Sequence, residues 1–509
     1  MRPILCLLVL SFCAFSQQMT GRAAARFLDQ ATWGPTPQAI DVLEKKGITD
    51  WLEEQYGAKL SDLPDQPLLD SAGKTNQNLA PVTAAFFQNA VNGPDQLRQR
   101  VAFALSEIWV VSQTTVPSAY AFPPYWRIFR DNAFKNYRDV IKAVTLSPAM
   151  GKYLNMANNN KANPAKGTAA NENYARELMQ LFTLGLTELN PDGSPVLDSS
   201  HSPVPTYNQA VVTNMAKVLT GWTYPVTPGT AAKNNNPAYY FGQMYAVEAE
   251  HDTTSKAIFN GLTIPAGQTA DQDLDTLIDD LMAQPTMAPF VSQQLIQHLV
   301  TSNPSPAYIQ RVSEVFSSMH GALRPVVAAI LTDPEARAGD VAGAAVSPGF
   351  GHLREPVLFL ASMLRGLNAS VGPANTLNGY SQELGQNLFV APSVFSYFSP
   401  QYQIEGGLLG PEFQIHSTQT SADRANIVSA ALYGTLDKTT TLNLTPFVDL
   451  AGNVGNLVNY IGYIFVHSGM SAVLTQAATA AAAAQSTPLA KAQAALYVVL
   501  TSSECQVIH

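Results

Sequence analysis

The sequence predicts an all-α protein, a large multi-helix globular domain with long loops and at most a short β-hairpin. Two observations predict this class. Apolar residues recur at helical spacing along most of the chain, whereas stretches that alternate apolar and polar residues are few. Hydrophobic residues also make up 46% of the 509 residues, which is enough for a sizeable core and argues against wholesale disorder.

The first sixteen residues have the layout of a secretory signal peptide. Arg2 supplies a positive charge, residues 4–12 form a short apolar run, and residues 14–16 place small side chains before a cleavage point at Gln17. The alternatives are a buried first helix and a lipoprotein anchored at Cys13. We expect residues 1–16 to be removed and the mature protein to be secreted, periplasmic or bound to the cell envelope.

Cysteine usage follows from this cleavage. Removal of the signal peptide takes away Cys6 and Cys13 and leaves Cys505 alone. A single cysteine cannot form an internal disulfide, so we expect the fold to depend on its hydrophobic core.

Helical spacing predicts the later elements in chain order, with glycine and proline marking their ends. A helix over 23–28 ends at Trp33-Gly34-Pro35, and Gly221 follows the end of a helix over 207–219. The turn at residues 190–193 has Pro second and Gly fourth and predicts the short hairpin. The other expected helices are 37–56, 97–111, 140–146, 171–186, 271–283, 289–300, 306–320, 324–332, 354–367, 423–432, 456–466, 471–485 and 488–500.

Two segments interrupt the helical pattern. Residues 337–351 are rich in Gly and Ala and predict a boundary between an N-terminal lobe, 17–340, and a C-terminal lobe, 341–509. The alternative is one continuous domain over 22–506. Residues 155–170 are rich in Asn and form either a lid or a surface loop.

The helix over 171–186 has one apolar and one polar face, and the polar face is the first candidate site. A functional interpretation is a site for an anion, a sugar or a metal, whereas the alternative is a structural network of ion pairs. We expect the charged side chains on this face to be sheltered from water. The polar face consists of Glu172, Asn173, Arg176, Glu177 and Gln180.

A second candidate is the sequence His251-Asp252 with Lys256, because a histidine beside an acid can act as a general base or a metal ligand. Tyr125 and Trp126 lie in a proline-broken aromatic stretch and are the expected sugar contacts. Other histidines have simpler interpretations. His298 is expected in the core, residues 352–355 begin a helix, and His416 and Glu412 can join a site only through the fold.

Several classes of function are excluded or disfavoured. The formal net charge of −9 argues against nucleic-acid binding, which requires a basic surface. The chain contains no GxxxxGK[ST] or GxGxxG loop, no HExxH pair and no GxSxG elbow, which disfavours nucleotide hydrolysis, a zinc protease of that type and an ordinary α/β-hydrolase. After the signal peptide, no apolar run is long enough to predict a transmembrane segment.

Ten motifs spread over the mature chain carry a family resemblance. They are AARFLDQATWGPT (24–36), RQRVAFALSEIWVVS (98–112), FKNYRDVIKAVTLSPAMGKYLNMANN (134–159), NENYARELMQLFTLGLTELNPDG (171–193), TYNQAVVTNMAKVLTGWT (206–223), HDTTSK (251–256), LIQHLVTSNPSPAYIQRV (295–312), HLREPV (352–357), GQNLFVAPSVFSYF (385–398) and ALYVVLTSSECQ (495–506). Together they resemble the bacterial domain-of-unknown-function family numbered eighteen hundred. The resemblance implies an exported, helical protein without a characterised activity. It also implies a secreted partner protein related to sulfatases and alkaline phosphatases.

Two functions follow from these observations. The first is an exported, envelope-associated protein of unknown activity that binds a secreted partner protein or a cell-surface polysaccharide. The alternative is a hydrolase or lyase that acts on an extracellular polymer through Glu172, Glu177 and His251, with metal assistance left open. Convergence of these side chains on one open cleft would favour the enzyme. The sequence determines no cofactor and no metal.

Overall fold

Helices form most of the chain in this computed structural model, which describes residues 19–467 and 469–509 apart from the side chain of Asn260. The predicted all-α class is confirmed. The predicted signal peptide, residues 1–16, lies outside the described residues. None of the helices in the described part of the chain is both long enough and apolar enough to cross a membrane.

The α-helices follow one another in chain order, and a π-helix over Leu178–Thr183 continues α9 directly. The helices are α1 Gly21–Ala31, α2 Pro37–Lys46, α3 Ile48–Tyr56, α4 Ala80–Asn92, α5 Gln96–Ile108, α6 Phe122–Asn132, α7 Tyr137–Thr145, α8 Pro148–Tyr153, α9 Asn173–Glu177, α10 Gln209–Val218, α11 Ala270–Ala283, α12 Met287–Leu299, α13 Pro306–Ser318, α14 Leu323–Thr332, α15 Pro334–Arg337, α16 Pro356–Gly366, α17 Leu377–Glu383, α18 Thr418–Tyr433, α19 Thr445–Leu450, α20 Val454–Phe465, α21 Ala472–Ala483, α22 Pro488–Leu500 and α23 Ser503–Gln506.

Within the described residues, the strands are two residues long and pair antiparallel in four separate two-stranded sheets. Two pairs are local and two join distant parts of the chain, so that the C-terminal strand β8 pairs with the strand that precedes α16. The pairs are β1 Trp222–Thr223 with β2 Tyr245–Ala246, β3 Lys256–Ala257 with β4 Thr263–Ile264, β5 His352–Leu353 with β8 Val507–Ile508, and β6 Ser370–Val371 with β7 Thr440–Thr441.

Many helices begin where a side chain accepts a hydrogen bond from the free backbone N–H groups of the first turn. The hydroxyls of Thr20, Thr36 and Thr487 accept bonds at the starts of α1, α2 and α22, and proline follows two of these caps directly. Thr269 and Gln272 form a reciprocal capping box at α11. These starts are encoded locally, which is why periodicity and capping residues predict them.

Two predicted helices differ from the structure. The stretch 37–56 is broken into α2 and α3 at Gly47, whose φ of +78° no helix can contain. The stretch 171–186 begins as α9 and widens into the π-helix after Glu177. In the π-helix the hydroxyl of Thr183 donates a 2.6 Å hydrogen bond to the carbonyl of Leu178, five residues earlier. A single π turn of this kind is frequent at functional sites.

Two central helices organise the core. Every residue of α16 is buried, and nearly all of α5 is buried where it packs against α6 and α12. One hydrophobic core contains residues from both predicted lobes, and α1 contacts α20 near the C-terminus. The lobe boundary near residue 340 stays a prediction.

Candidate functional site

The structure places Glu172 and Arg176 at the surface. Arg176 Nη2 lies 3.2 Å from Glu172 Oε2. The side chain of Arg176 is 39% exposed and that of Glu172 is 32% exposed. Gln209 and Thr213 of α10 donate further hydrogen bonds to the Glu172 carboxylate. The bond from Gln209 is the main reason why the pKa of Glu172 is lowered. The expectation that this pair is sheltered from water is therefore wrong, because α10 covers only one side of it.

Replacing Arg176 with alanine is accordingly expected to cost less than about 1 kcal/mol of the free energy of unfolding. Glu172 keeps its bonds from Gln209 and Thr213 and stays in contact with water, so that no charge is stranded. Equilibrium denaturation of the variant measures this cost. A loss of several kcal/mol would show that the ion pair is coupled to the core.

The other members of the polar face are divided between separate contacts. Glu177 is half-buried, one of its carboxylate oxygens has no hydrogen-bond partner, and burial raises its pKa. Asn173 starts α9 with its backbone N–H bonded to Asn171, and Gln180 accepts a 3.3 Å bond from the hydroxyl of Tyr207. The polar face is thus not one continuous site.

His251 and Lys256 meet inside the protein at a residue that was not predicted, Asp273 of α11. His251 Nε2 lies 3.0 Å from Asp273 Oδ2, and Lys256 Nζ donates a 2.6 Å bond to the same oxygen. The side chains of all three residues are fully buried. Gly221 allows the close approach of the backbone, since a Cβ there would lie 2.9 Å from His251 Cβ. The predicted partner, Asp252, instead accepts hydrogen bonds from Thr254.

This buried cluster ties β3 and the loop before it to α11. His251 Nδ1 lies 2.9 Å from the carbonyl oxygen of Thr220, so that both ring nitrogens face oxygen atoms. A substrate cannot reach these atoms without an opening of the fold. Catalysis by His251 stays a prediction.

Tyr125 and Trp126 are also internal, at 5% and 1% exposure. The hydroxyl of Tyr125 donates a 2.7 Å bond to the carbonyl of Trp109, and both rings line a small space inside the core. The expectation that this aromatic stretch is exposed is wrong, because Pro123 stands in the first turn of α6 rather than in a loop.

A cluster of carboxylates lies where α5, α12 and the start of α16 meet, and of its members only Glu412 was expected from the sequence to join a site through the fold. Glu107, Glu355 and Glu412 are 8%, 3% and 6% exposed. Arg100 stands two turns before Glu107 on the same face of α5 and is fully buried. The guanidinium of Arg100 donates to the backbone carbonyl of His298, while its Nε and Nη1 have no hydrogen-bond partner.

Glu107 is the carboxylate that α5 contributes to this cluster. The hydroxyl of Ser396 donates a 2.6 Å bond to Glu107 Oε2, and Ser396 holds a left-handed φ of +62° to do so. Burial nevertheless raises the pKa of Glu107 to about 7, although Ser396 and Arg100 both favour the ionised form. Glu107 is therefore poised to gain or lose a proton near neutral pH.

Glu355 lies deeper, at the N-terminus of α16. Gln386 donates to its carboxylate and accepts a 2.9 Å bond from the backbone N–H of Val357, so that one amide joins the carboxylate to the helix start. Burial and the neighbouring Glu107 raise the pKa of Glu355 well above its usual range.

Glu412 completes the cluster. His352 Nδ1 lies 3.1 Å from Glu412 Oε1, whereas Glu412 Oε2 and His352 Nε2 have no hydrogen-bond partner. His298 lies nearby, and burial together with Arg100 lowers its pKa to about 3, which keeps its ring neutral. Buried polar atoms without partners are rare in folded proteins, and each requires an explanation.

A narrow cleft of about 60 Å³ leads from the surface to Glu107 and Glu412. His298, Gln294 and Ser396 add polar groups to its lining, and Leu181 of the π-helix forms part of one wall. We name this space the acidic cleft. The remaining walls are apolar and consist of Ile108, Val394, Phe395, Phe398, Pro400 and Pro411.

One sequence signal could have found part of this cluster. Arg100 and Glu107 are ionic residues seven apart on a helix that is otherwise strongly apolar, and such residues are seldom buried unless they are paired. Glu355 and Glu412 gave no comparable signal, because one stands at a helix start and the other in a loop.

A different feature is an open groove of about 920 Å³ beside the Asn-rich loop that follows α8. Lys152, Lys161 and Lys166 are exposed and line it, with Glu250 as the acid among its lining residues. Among the described residues, the lysines that form ion pairs are Lys46, Lys142 and Lys256. The amides that line the groove belong to Asn155, Asn158, Asn159, Asn160, Asn163, Asn171, Asn235 and Asn236. We name this feature the Asn–Lys groove.

The floor of the Asn–Lys groove is fixed by hydrogen bonds between its own amides. Asn159 and Asn171 exchange two bonds, of 2.7 and 3.2 Å. Asn158 accepts a 2.6 Å bond from Thr223 and donates a 3.0 Å bond to the carbonyl of Asn236. Asn155 and Asn158 hold left-handed φ values of +60° and +62°, which asparagine tolerates better than most residues. The loop is therefore an ordered wall.

In the part of the chain that the structure describes, no group of three or more His, Cys, Asp or Glu side chains is arranged to hold a metal ion. A model of the family described as "Protein of unknown function (DUF1800)" matches residues 26–507 of the chain. This match confirms the resemblance that the sequence motifs carry. No curated protein and no solved structure matches the chain.

Proposed function

We propose that this chain, which belongs to the DUF1800 family, is an exported protein that binds an acidic cell-surface polysaccharide in its Asn–Lys groove. The observation that carries the proposal is the lining of that groove, where many amides surround three lysines without ion pairs. Export and association with the envelope are part of the proposal. Both rest on the predicted signal peptide, residues 1–16.

The chemistry of the groove suits a polyhydroxylated, anionic ligand. The exposed carboxamides, such as those of Asn155 and Asn235, offer both donors and acceptors, which is what a sugar hydroxyl requires from a binding site. The three lysines outnumber the single Glu250, so that the groove is positive in a chain whose net charge is −9. Carboxylate or sulfate groups on the polymer would be attracted to these ammonium groups.

Size and rigidity support the same ligand class. The volume of about 920 Å³ lies near the upper end of the usual range for ligand pockets, and the groove is open along its length. Since the floor amides are held by Thr223 and by one another, little conformational freedom is lost when a ligand binds.

The experiment is a binding titration with polygalacturonate as an acidic polymer and dextran as a neutral one. Replacing Lys152, Lys161 and Lys166 together with glutamine is expected to raise the Kd for polygalacturonate about tenfold, which corresponds to about 1.4 kcal/mol. Binding of the wild-type protein to polygalacturonate should also weaken as salt is added.

A matched control removes the same number of charges elsewhere. Lys59, Lys74 and Lys438 are exposed and do not line the groove, so their replacement by glutamine should leave the Kd unchanged. Equal losses in both triple variants would mean that only the net charge of the protein matters. Failure of the wild-type protein to bind polygalacturonate would contradict the proposal directly.

The two other functions considered from the sequence have less support. A hydrolase or lyase that uses Glu172, Glu177 and His251 requires a common cleft, yet Glu172 lies at the surface and His251 is fully buried. The secreted sulfatase- or phosphatase-like partner rests on the family resemblance alone and stays a prediction.

A further inference from the structure

The acidic cleft is separate from the Asn–Lys groove and shares none of its lining residues. Its lining contains two acidic side chains, those of Glu107 and Glu412, whereas most of its other lining residues are apolar. Phe395 belongs to the apolar part of the lining and is 43% exposed. The cleft therefore combines apolar walls with two acidic groups.

Acidic groups outnumber basic ones around the cleft. Glu107, Glu355 and Glu412 lie near the guanidinium of Arg100, and the ring of His352 lies 3.1 Å from Glu412. Arg100 Nη2 donates its hydrogen bond to the backbone carbonyl of His298 and not to a carboxylate. A buried set of acids with too few cations is costly unless the acids take up protons or a cation binds among them.

Atoms without partners lie at the same place. Glu412 Oε2 is buried and accepts no hydrogen bond, and Glu412 itself lines the cleft. Gln294 Nε2, on α12 one turn before His298, is likewise buried without a partner. A ligand that donates hydrogen bonds and carries a positive charge would satisfy the free carboxylate oxygen.

The dimensions limit what that ligand can be. A free volume of about 60 Å³ compares with roughly 10–15 Å³ for one water molecule measured in the same way. The cleft thus has space for a chain of about four to six water-sized groups. An ammonium group is compact and carries three donors, and a following run of methylene groups matches the apolar walls.

We propose that the acidic cleft binds an alkylammonium group, with the ammonium between Glu107 and Glu412 and the aliphatic stem along the walls formed by residues such as Leu181 and Phe398. The ammonium supplies a positive charge and a hydrogen-bond donor for the buried Glu412 oxygen that has no partner among the described residues. Two sources share this chemistry: a free alkylamine and the lysine side chain of a peptide. This inference is independent of the function proposed for the groove.

The first experiment compares two probes of equal length by calorimetric titration of the full mature chain. n-Pentylamine is expected to bind at a single site, and n-pentanol at least about tenfold more weakly, because only the amine can pair with the carboxylates. Absence of saturable pentylamine binding, or equal binding of the alcohol, overturns the proposal. This comparison needs no variant and does not depend on polysaccharide binding.

Variants then locate the site. Glu107→Gln and Glu412→Gln are each expected to weaken pentylamine binding about tenfold or more, since each removes one charge that faces the ammonium. Glu314→Gln, on the exposed face of α13, is the matched control and should bind as the wild-type protein does. Unchanged binding in both cleft variants overturns the assignment.

A third variant and a second pair of probes complete the test. If circular dichroism shows that a carboxylate variant does not fold, Phe395→Ala tests the site instead, because Phe395 is exposed and its loss should weaken binding without unfolding the protein.

Nα-acetyl-lysine methylamide and Nα-acetyl-norleucine methylamide distinguish the two sources of the alkylammonium group. Binding of pentylamine and of the lysine compound, but not of the norleucine compound, indicates a peptide side chain, whereas binding of pentylamine but not of the lysine compound indicates a free amine.

Discussion

Replacing Arg354 with alanine is expected to lower the free energy of unfolding by about 3–5 kcal/mol, the cost of breaking a buried ion pair. The guanidinium of Arg354 donates two bonds to the Asp29 carboxylate, at 2.5 and 2.7 Å, and a third to the carbonyl of Cys505. The side chains of Arg354 and Asp29 are 4% and 0% exposed. Without Arg354, the Asp29 carboxylate stays buried beside His467 alone.

The matched control is Arg324→Ala. Arg324 also forms an ion pair, with Glu53, but the side chains of Arg324 and Glu53 are 48% and 61% exposed. Its loss should cost much less than the loss of Arg354, because water replaces the missing contact. Equilibrium unfolding in urea measures both variants. Equal losses would mean that burial does not determine the strength of the Asp29 pair.

The same network predicts how stability depends on acid. Arg354 and His467 outweigh the effect of burial and hold the pKa of Asp29 well below its usual value near 4. A carboxyl with a lowered pKa stabilises the folded state above its unfolded pKa, and this contribution is lost as the pH falls toward the folded pKa. The wild-type protein should therefore lose stability below about pH 4, and Arg354→Ala should reduce that loss.

Replacing Glu107 with glutamine is expected to have the opposite effect and to stabilise the protein at pH 8 by on the order of 3 kcal/mol. Burial raises the pKa of Glu107 from 4.5 to about 7. A carboxyl with a raised pKa favours the folded state below its unfolded pKa, and this contribution is lost as the pH rises through the folded pKa. Glutamine remains neutral throughout and can still accept the bond from Ser396.

Unfolding measurements at several values between pH 4 and pH 8 test this expectation. The gain should be absent near pH 4 and grow toward pH 8, while the exposed variant Glu314→Gln shows no such trend. A loss of stability in Glu107→Gln at pH 8 would mean that attraction to Arg100 exceeds the cost of burial. A gain would show that the acidic cleft keeps a carboxylate that weakens the fold, as functional sites often do.

Local signals in the sequence were sufficient for the fold class and for many helix boundaries. Apolar spacing predicted most of the longer helices but missed α4 and α6, and residues such as Thr20 and Thr36 cap helices through contacts only three residues away. The break at Gly47 was also encoded locally, by a glycine in the middle of a periodic stretch. The match of residues 26–507 to a single family agrees with the spread of the motifs.

The helix over 171–186 marks the limit of this local information. Its periodicity predicted the apolar side, and Tyr174, Leu178 and Phe182 are indeed buried. Spacing alone could not show that α10 would cover Glu172 from one side only. It also could not show that the helix would widen into a π turn, in which the hydroxyl of Thr183 donates to the carbonyl of Leu178. The exposure of a polar side chain depends on which other element packs against it, and that element is distant in sequence.

The sequence by itself determined the helical class, the helix starts and the family, because periodicity and capping act within a few residues. Only the tertiary structure decided which ionic residues meet. Asp273 joins His251, Arg354 joins Asp29, and Glu107 and Glu412 line the same cleft, and each pair combines separate elements of the fold. The physical reason is that charges interact through space according to distance and burial, whereas the local pattern around each residue reports only the helix or loop that carries it.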